Sequence, residues 1–220
     1  MRIVSTLALA ALLSLSASAA EAARVFIIHG IPGVTVDVYA TLAGAPIPAT
    51  PTIPGFQPKQ IVDLTAGPAT VDIRVFAQGA DPQTATPVIA VLGAAVPASG
   101  EISILAHLDG AGTPTASIYT NDASAPLAGA ARVSVRHAAQ APAVQLAAGG
   151  VPKLAVTNPY FGDLEVPAGV GIPLQLQVPF TGAAVTPEVT LSFNAGMRYF
   201  VYAIGSLSGG TFDFIVQAVQ

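Results

Sequence analysis

Apolar and polar residues alternate along much of this chain. In Val34-Thr35-Val36-Asp37-Val38-Tyr39 the valines fall on one face. Val71-Asp72-Ile73-Arg74-Val75-Phe76 sets Val71, Ile73 and Val75 against Asp72, Arg74 and Phe76. Leu174-Gln175-Leu176-Gln177-Val178 repeats the pattern. A period of two marks a strand with one buried and one wet face. Asp37 and Asp72 are therefore expected in solvent. Further short runs predict strands over 24–29, 60–64, 87–92, 101–108 and 115–120, then over 132–137, 143–147, 162–166, 188–193, 198–204 and 211–218. Asp109-Gly110 and Ser208-Gly209-Gly210 read as hairpin turns. With 19 prolines and 21 glycines breaking helical patterns, the chain reads as all-β.

The pattern occurs twice. Ala23-Arg24-Val25-Phe26-Ile27-Ile28-His29 returns as Ala131-Arg132-Val133-Ser134-Val135-Arg136-His137. Thr35-Val36-Asp37-Val38 aligns with Ala143-Val144-Gln145-Leu146, and Val62-Asp63-Leu64-Thr65-Ala66-Gly67 with Leu164-Glu165-Val166-Pro167-Ala168-Gly169. The closing hairpins, 101–119 and 197–215, also correspond. Repetition on this scale predicts two tandem immunoglobulin-like β-sandwich domains, residues 23–122 and 131–220, joined by a linker over 123–130 rich in Ala, Pro, Gly and Ser.

The first 22 residues depart from the alternation. Arg2 precedes an apolar run from Ile3 to Leu15, followed by Ala17-Ser18-Ala19 and Ala20-Glu21-Ala22. This is the layout of a secretory signal peptide cleaved after Ala19 or Ala22, and the run is shorter than the roughly 20 apolar residues of a membrane span. The protein is expected to be exported, periplasmic or secreted, with no membrane span in the mature chain.

Composition narrows the function classes. The 8 basic and 12 acidic residues give a net charge of −4, the wrong sign for a nucleic-acid partner. Charged residues are only 9% of the chain and cysteine is absent, which removes disulfides and thiolate metal sites. A lipid-facing barrel would carry aromatic girdles, yet aromatics are 6%, Trp is missing and the chain ends at Gln220.

The paired openings resemble the bacterial and archaeal family known as domain of unknown function 4397. The likeness rests on Arg24-Val25 leading to His29, the turn Gly30-Ile31-Pro32-Gly33, and Val36-Asp37-Val38-Tyr39. The second copy runs from Arg132-Val133 to His137 and departs at Gln145 and Ala147, where Asp and Tyr are expected. The resemblance implies an exported β-sandwich, often in tandem, and implies no activity.

Candidate chemistry is sparse. His29 and His137 occupy equivalent strand ends, where each imidazole would hydrogen-bond backbone groups or contribute to a ligand site. With three histidines and no cysteine, no metal site or cofactor is expected. Asp37 and Asp72 lack the cleft a carboxylate pair would need for acid–base work. Gly205-Ser206-Leu207-Ser208-Gly209 has Leu at the centre, so it is no nucleophile elbow. Tyr160 and Phe161 are adjacent in a turn, so one of them could face solvent. Tyr199 and Tyr202 differ in parity, which predicts one in the core and one on the surface. No catalytic residue is expected. The chain reads as a non-enzymatic structural or interaction module with an envelope protein or surface polymer as partner. The alternative is a glycan- or small-ligand-binding module using His29, Asp37, Tyr39, His137 and Tyr160.

Overall fold

The computed structural model describes residues 22–220. The signal segment expected over 1–22 lies outside them, Ala22 excepted. Sixteen strands follow in order: β1 (Ala23–His29), β2 (Val36–Leu42), β3 (Ile53–Phe56), β4 (Ile61–Ala66), β5 (Ala69–Ala77), β6 (Ile89–Val96), β7 (Glu101–Leu108), β8 (Pro114–Asn121), β9 (Ala130–His137), β10 (Val144–Ala148), β11 (Val151–Val156), β12 (Phe161–Pro167), β13 (Gly171–Gln177), β14 (Val189–Ser192), β15 (Arg198–Ile204) and β16 (Asp213–Val219).

They form four sheets of four strands. The first repeat builds β4-β1-β7-β8 and β3-β2-β5-β6; the second builds β12-β9-β15-β16 and β11-β10-β13-β14. Adding eight to every strand number of the first pair generates the second, so the duplication read from sequence is a duplication of topology. Strands β9 and β15 pair in parallel. A parallel pair needs a long crossover, and here the crossover is β10 to β14, which supplies the facing sheet and one edge. By contact the chain falls into two compact units. The first comprises residues up to His29, Gly33–Leu105 and Ile118–Asp122; the second comprises Gly30–Pro32, Ala106–Ser117 and Ala123–Gln220.

Each core is made of alternate strand residues. Val25, Val38, Ile73, Val75 and Ile104 are buried in the first. In the second, Val133, Val135, Leu146, Leu174, Leu176, Phe193 and Tyr199 form one cluster. Two strands were not visible in the alternation. Strand β3 reads Ile-Pro-Gly-Phe and β11 reads Val-Pro-Lys-Leu-Ala-Val, and both lie at sheet edges. Proline removes a ladder donor, which an edge strand tolerates because one side of it is unpaired.

The expectation of one core and one surface tyrosine on β15 is corrected. Tyr199 and Tyr202 are 9% and 0% exposed. Strand β15 is interior to its sheet, and its second face is buried too. Tyr202 finds partners there, accepting from Arg136 Nη1 at 3.0 Å and donating to Gln217 Oε1 at 3.1 Å.

Candidate functional site

His29 and His137 end β1 and β9, and each is completely buried. His29 Nε2 donates to the Val34 carbonyl at 3.0 Å, and His137 Nε2 to the Pro142 carbonyl at 2.8 Å. The Ala139 N–H donates back to His137 Nδ1 at 3.4 Å. Each ring thus spans the turn that carries the chain into the facing sheet with a proton on Nε2, and the Ala139 donor leaves Nδ1 of His137 as an acceptor. Burial pushes both imidazoles below the ordinary histidine value, against a smaller opposing effect of the carbonyl each ring bonds. His29 also lies against Phe56, centroids 5.5 Å apart. The third histidine, His107, bonds the Leu108 carbonyl and Ser117 Oγ, both at 2.8 Å, and burial lowers it as well.

The expected solvent exposure of the two aspartates is corrected by a break in strand register. Pairing of β2 with β3 shifts between Val36 and Val38, and pairing of β5 with β6 shifts between Val71 and Ile73. A bulge leaves a backbone donor without its ladder partner, and at each break the intervening aspartate takes it. Asp37 Oδ1 accepts from Gly55 N at 2.7 Å, while Oδ2 accepts from Gly79 N at 2.8 Å. Asp72 accepts from Gly93 N at 2.9 Å and Gly44 N at 3.0 Å. All four glycines have left-handed φ, between 57° and 77°. Asp37 and Asp72 are 6% and 5% exposed. The two glycine bonds hold the Asp72 carboxyl below its ordinary value, with Arg74 adding to the effect.

Tyr39 is buried beside them and meets Phe76 edge-on at 5.4 Å. Burial raises its phenol, and the charges of Asp37 and Asp81 raise it further. In the second repeat Gln145 stands where Asp37 does, and its Nε2 donates to Gln177 Oε1 at 3.2 Å. A side-chain amide pair replaces the carboxylate clip.

The second unit holds a cation that sequence reasoning passed over. Arg136 is 1% exposed, and its guanidinium lies 4.5 Å from the Phe200 ring, 5.1 Å from Tyr202 and 5.9 Å from Phe161. Arg132, Ser134 and Arg136 alternate with Ala131, Val133 and Val135, so alternation reads Arg136 as a wet-face residue and gave no signal of its burial.

The same unit puts aromatic side chains in water. Tyr160 and Phe161, which could equally have packed under their turn, are both in solvent, 68% and 45% exposed. Phe180, between β13 and β14, is fully exposed and holds φ at 68°. That region disfavours any side chain with a Cβ. It is enforced by the loop's own bonds, Gly182 N to Val178 O at 3.1 Å and Val178 N to Ala183 O at 2.7 Å. Of the five residues marked as ligand candidates, His29, Asp37, Tyr39 and His137 are buried and Tyr160 is exposed. His29, Asp37 and Tyr39 belong to the first unit, and His137 and Tyr160 to the second. The His137 N–H donates to the Tyr160 carbonyl at 3.1 Å.

Among the described residues no group of three or more His, Asp or Glu side chains is placed to hold a metal ion. No described helix is long and apolar enough to cross a membrane. The family described as Domain of unknown function (DUF4397) matches residues 23–147. No curated protein matches the sequence. A solved structure from Bacteroides uniformis, described as a candidate cell adhesion protein, covers 92% of this chain and 99% of its own. It is 10% identical at a TM-score of 0.26, too distant to support an argument about role.

Proposed function

The chain belongs to the family Domain of unknown function (DUF4397), and on that premise we propose that it is an exported, non-enzymatic interaction module of the cell envelope or extracellular space. One contrast supports this reading. The imidazoles and carboxylates that could do chemistry are buried against backbone groups, whereas a phenylalanine is held in water in a strained conformation. Strain of order 1–3 kcal/mol persists where surrounding structure enforces it, commonly at sites of recognition. A fully exposed aromatic on a backbone already fixed by its loop is an anchor that loses little further backbone freedom on binding. The partner is an envelope protein or surface polymer. Export follows from the charge, apolar run and small residues at 2–22.

The test is retention of envelope components on the immobilised protein, compared with Phe180→Ser. The substitution removes an exposed ring and should leave the melting temperature unchanged. Retention is expected to fall at least tenfold, a loss of about 1.4 kcal/mol or more. Equal retention by both proteins would remove Phe180 from the interface and this reading with it. Tyr160, exposed beside Phe161, favours a second reading, a glycan stacked on the Tyr160 ring. It predicts retention on glycan columns that Tyr160→Ser abolishes.

A further inference from the structure

The two repeats close one end of their sandwiches differently. In the second, Phe193 and Tyr199 meet edge-on with ring centroids 5.0 Å apart inside the core cluster. Backbone bonds give the matching residues of the first. Arg132 N donates to Met197 O as Arg24 N donates to Gly100 O, so Tyr199 corresponds to Ile102 and Phe193 to Val96. Sheet pairing places Val166 opposite Ala131 as it places Ala66 opposite Ala23, which corrects the alignment of 62–67 with 164–169 by two residues and matches Ala66 to Val166 and not to Ala168. Three side chains are therefore smaller in the first repeat: Val96 for Phe193, Ile102 for Tyr199, and Ala66 for Val166.

Two of them, Val96 and Ala66, line a cavity of about 110 Å³. Val25, Ala66 and Ile104 line it from one sheet, and Ala40, Ile73 and Val96 from the other. Leu42, 48% exposed, stands at its rim. The cavity contains no charged side chain. An enclosed apolar void of about 150 Å³ admits benzene in a well-studied engineered case, and this cavity, which opens to solvent, is of the same order. Tyr199 Oη accepts from Asn194 N at 3.0 Å. The matching position is Pro97, which has no N–H to offer, but Thr41 in the lining carries a buried Oγ1 without a hydrogen-bond partner, so the site takes an apolar ring with or without a single hydroxyl.

We propose that the first sandwich binds the apolar aromatic ring of a small molecule between its sheets, in the place the second sandwich fills with its own Phe193 ring. Any polar part of the ligand would project past Leu42 into solvent. The inference does not depend on the Phe180 surface, which belongs to the other unit.

Toluene is the probe, titrated into the purified protein and followed by carbon-13 methyl spectra. Saturable shifts are expected at the methyls of Val25, Ile73, Val96 and Ile104, with a melting temperature raised by a few degrees. Val96→Phe copies the second repeat. It should raise the melting temperature without toluene and weaken toluene binding at least tenfold. If that variant does not fold, Ala66→Val serves in its place with the same expectation. Shifts that stay linear to the solubility limit, shifts centred on Leu154 and Leu174 in the second unit, or unchanged binding by the filled variant would overturn the site. Tighter binding of n-pentane than of toluene would overturn the assignment of a ring.

Discussion

Asp37 accepts one backbone donor from β3 and one from the turn after β5, so its replacement is not a surface substitution. Asp37→Ala leaves Gly55 N and Gly79 N without their acceptor. Hydrogen bonds to a charged group are worth about 1.5–3 kcal/mol each, and urea denaturation should show a loss of about 3 kcal/mol or more. Asp37→Asn keeps one acceptor oxygen and should lose roughly half as much. A loss within 0.5 kcal/mol, the usual scale for exposed sites, would contradict the clip. The histidines, one in the first unit and two in the second, give the chain a pH dependence. Each is shifted below the ordinary value of about 6.5, so the unfolded chain binds the protons first. Their stabilisation is complete above about pH 6.5 and is lost as the pH falls from there through the folded-state values. Asp72 acts the same way lower down, its contribution fading below the ordinary carboxyl range. Melting temperature followed from pH 8 to pH 4 should fall first below about 6.5. His137→Gln, which can still donate to Pro142 O, should flatten that first fall; an unchanged profile would contradict the assignment. At this scale the sequence was only half legible. A histidine before a Pro-containing turn announced a loop-spanning ring. The burial of Asp37 and Asp72 was not announced, because alternation shows which face a residue takes and not that a bulge aims a donor at it.

At the scale of elements, most strands followed from alternation and turn residues, and the exceptions share a cause. Strands β3 and β11 carry Pro54 and Pro152, which count against a strand unless the edge position is known. Edge position is a property of the sheet, so it lies outside any short window of sequence. Turns were easier to read, since glycine is needed where the chain folds back. Between β15 and β16, Gly205 has φ of 79°, and a Cβ there would come within 2.1 Å of the Thr211 carbonyl oxygen. Gly129 has nearly the same φ, 77°, with nothing within 4 Å of its Cβ position. Gly205→Ala should therefore destabilise well beyond the backbone strain of order 1 kcal/mol expected for Gly129→Ala. Equal losses in chemical denaturation would mean that the hairpin relaxes around the added methyl.

For the molecule as a whole, the duplicated opening motif carried the architecture, and the shared strand order repeats it at the level of sheets. What the sequence left hidden is how the copies diverged. The first keeps the aspartate clips and a cavity between its sheets. The second replaces Asp37 with Gln145, fills its core with Phe193 and Tyr199, and holds aromatic residues in solvent. Phe180 gave no signal because its backbone angle, and not its neighbours in sequence, sets it apart. Residues that maintain the framework are distinct from residues that meet a partner, and this distinction can be measured directly. The decisive measurement is partner retention and melting temperature together for His29→Gln, Asp37→Asn, Tyr160→Ser and Phe180→Ser. The first two should lower the melting temperature and retain envelope components normally while folded. Phe180→Ser should melt as the parent does and lose retention, with Tyr160→Ser weaker than the parent. A folded His29 or Asp37 variant that loses retention, beside a Phe180 variant that keeps it, would contradict the account.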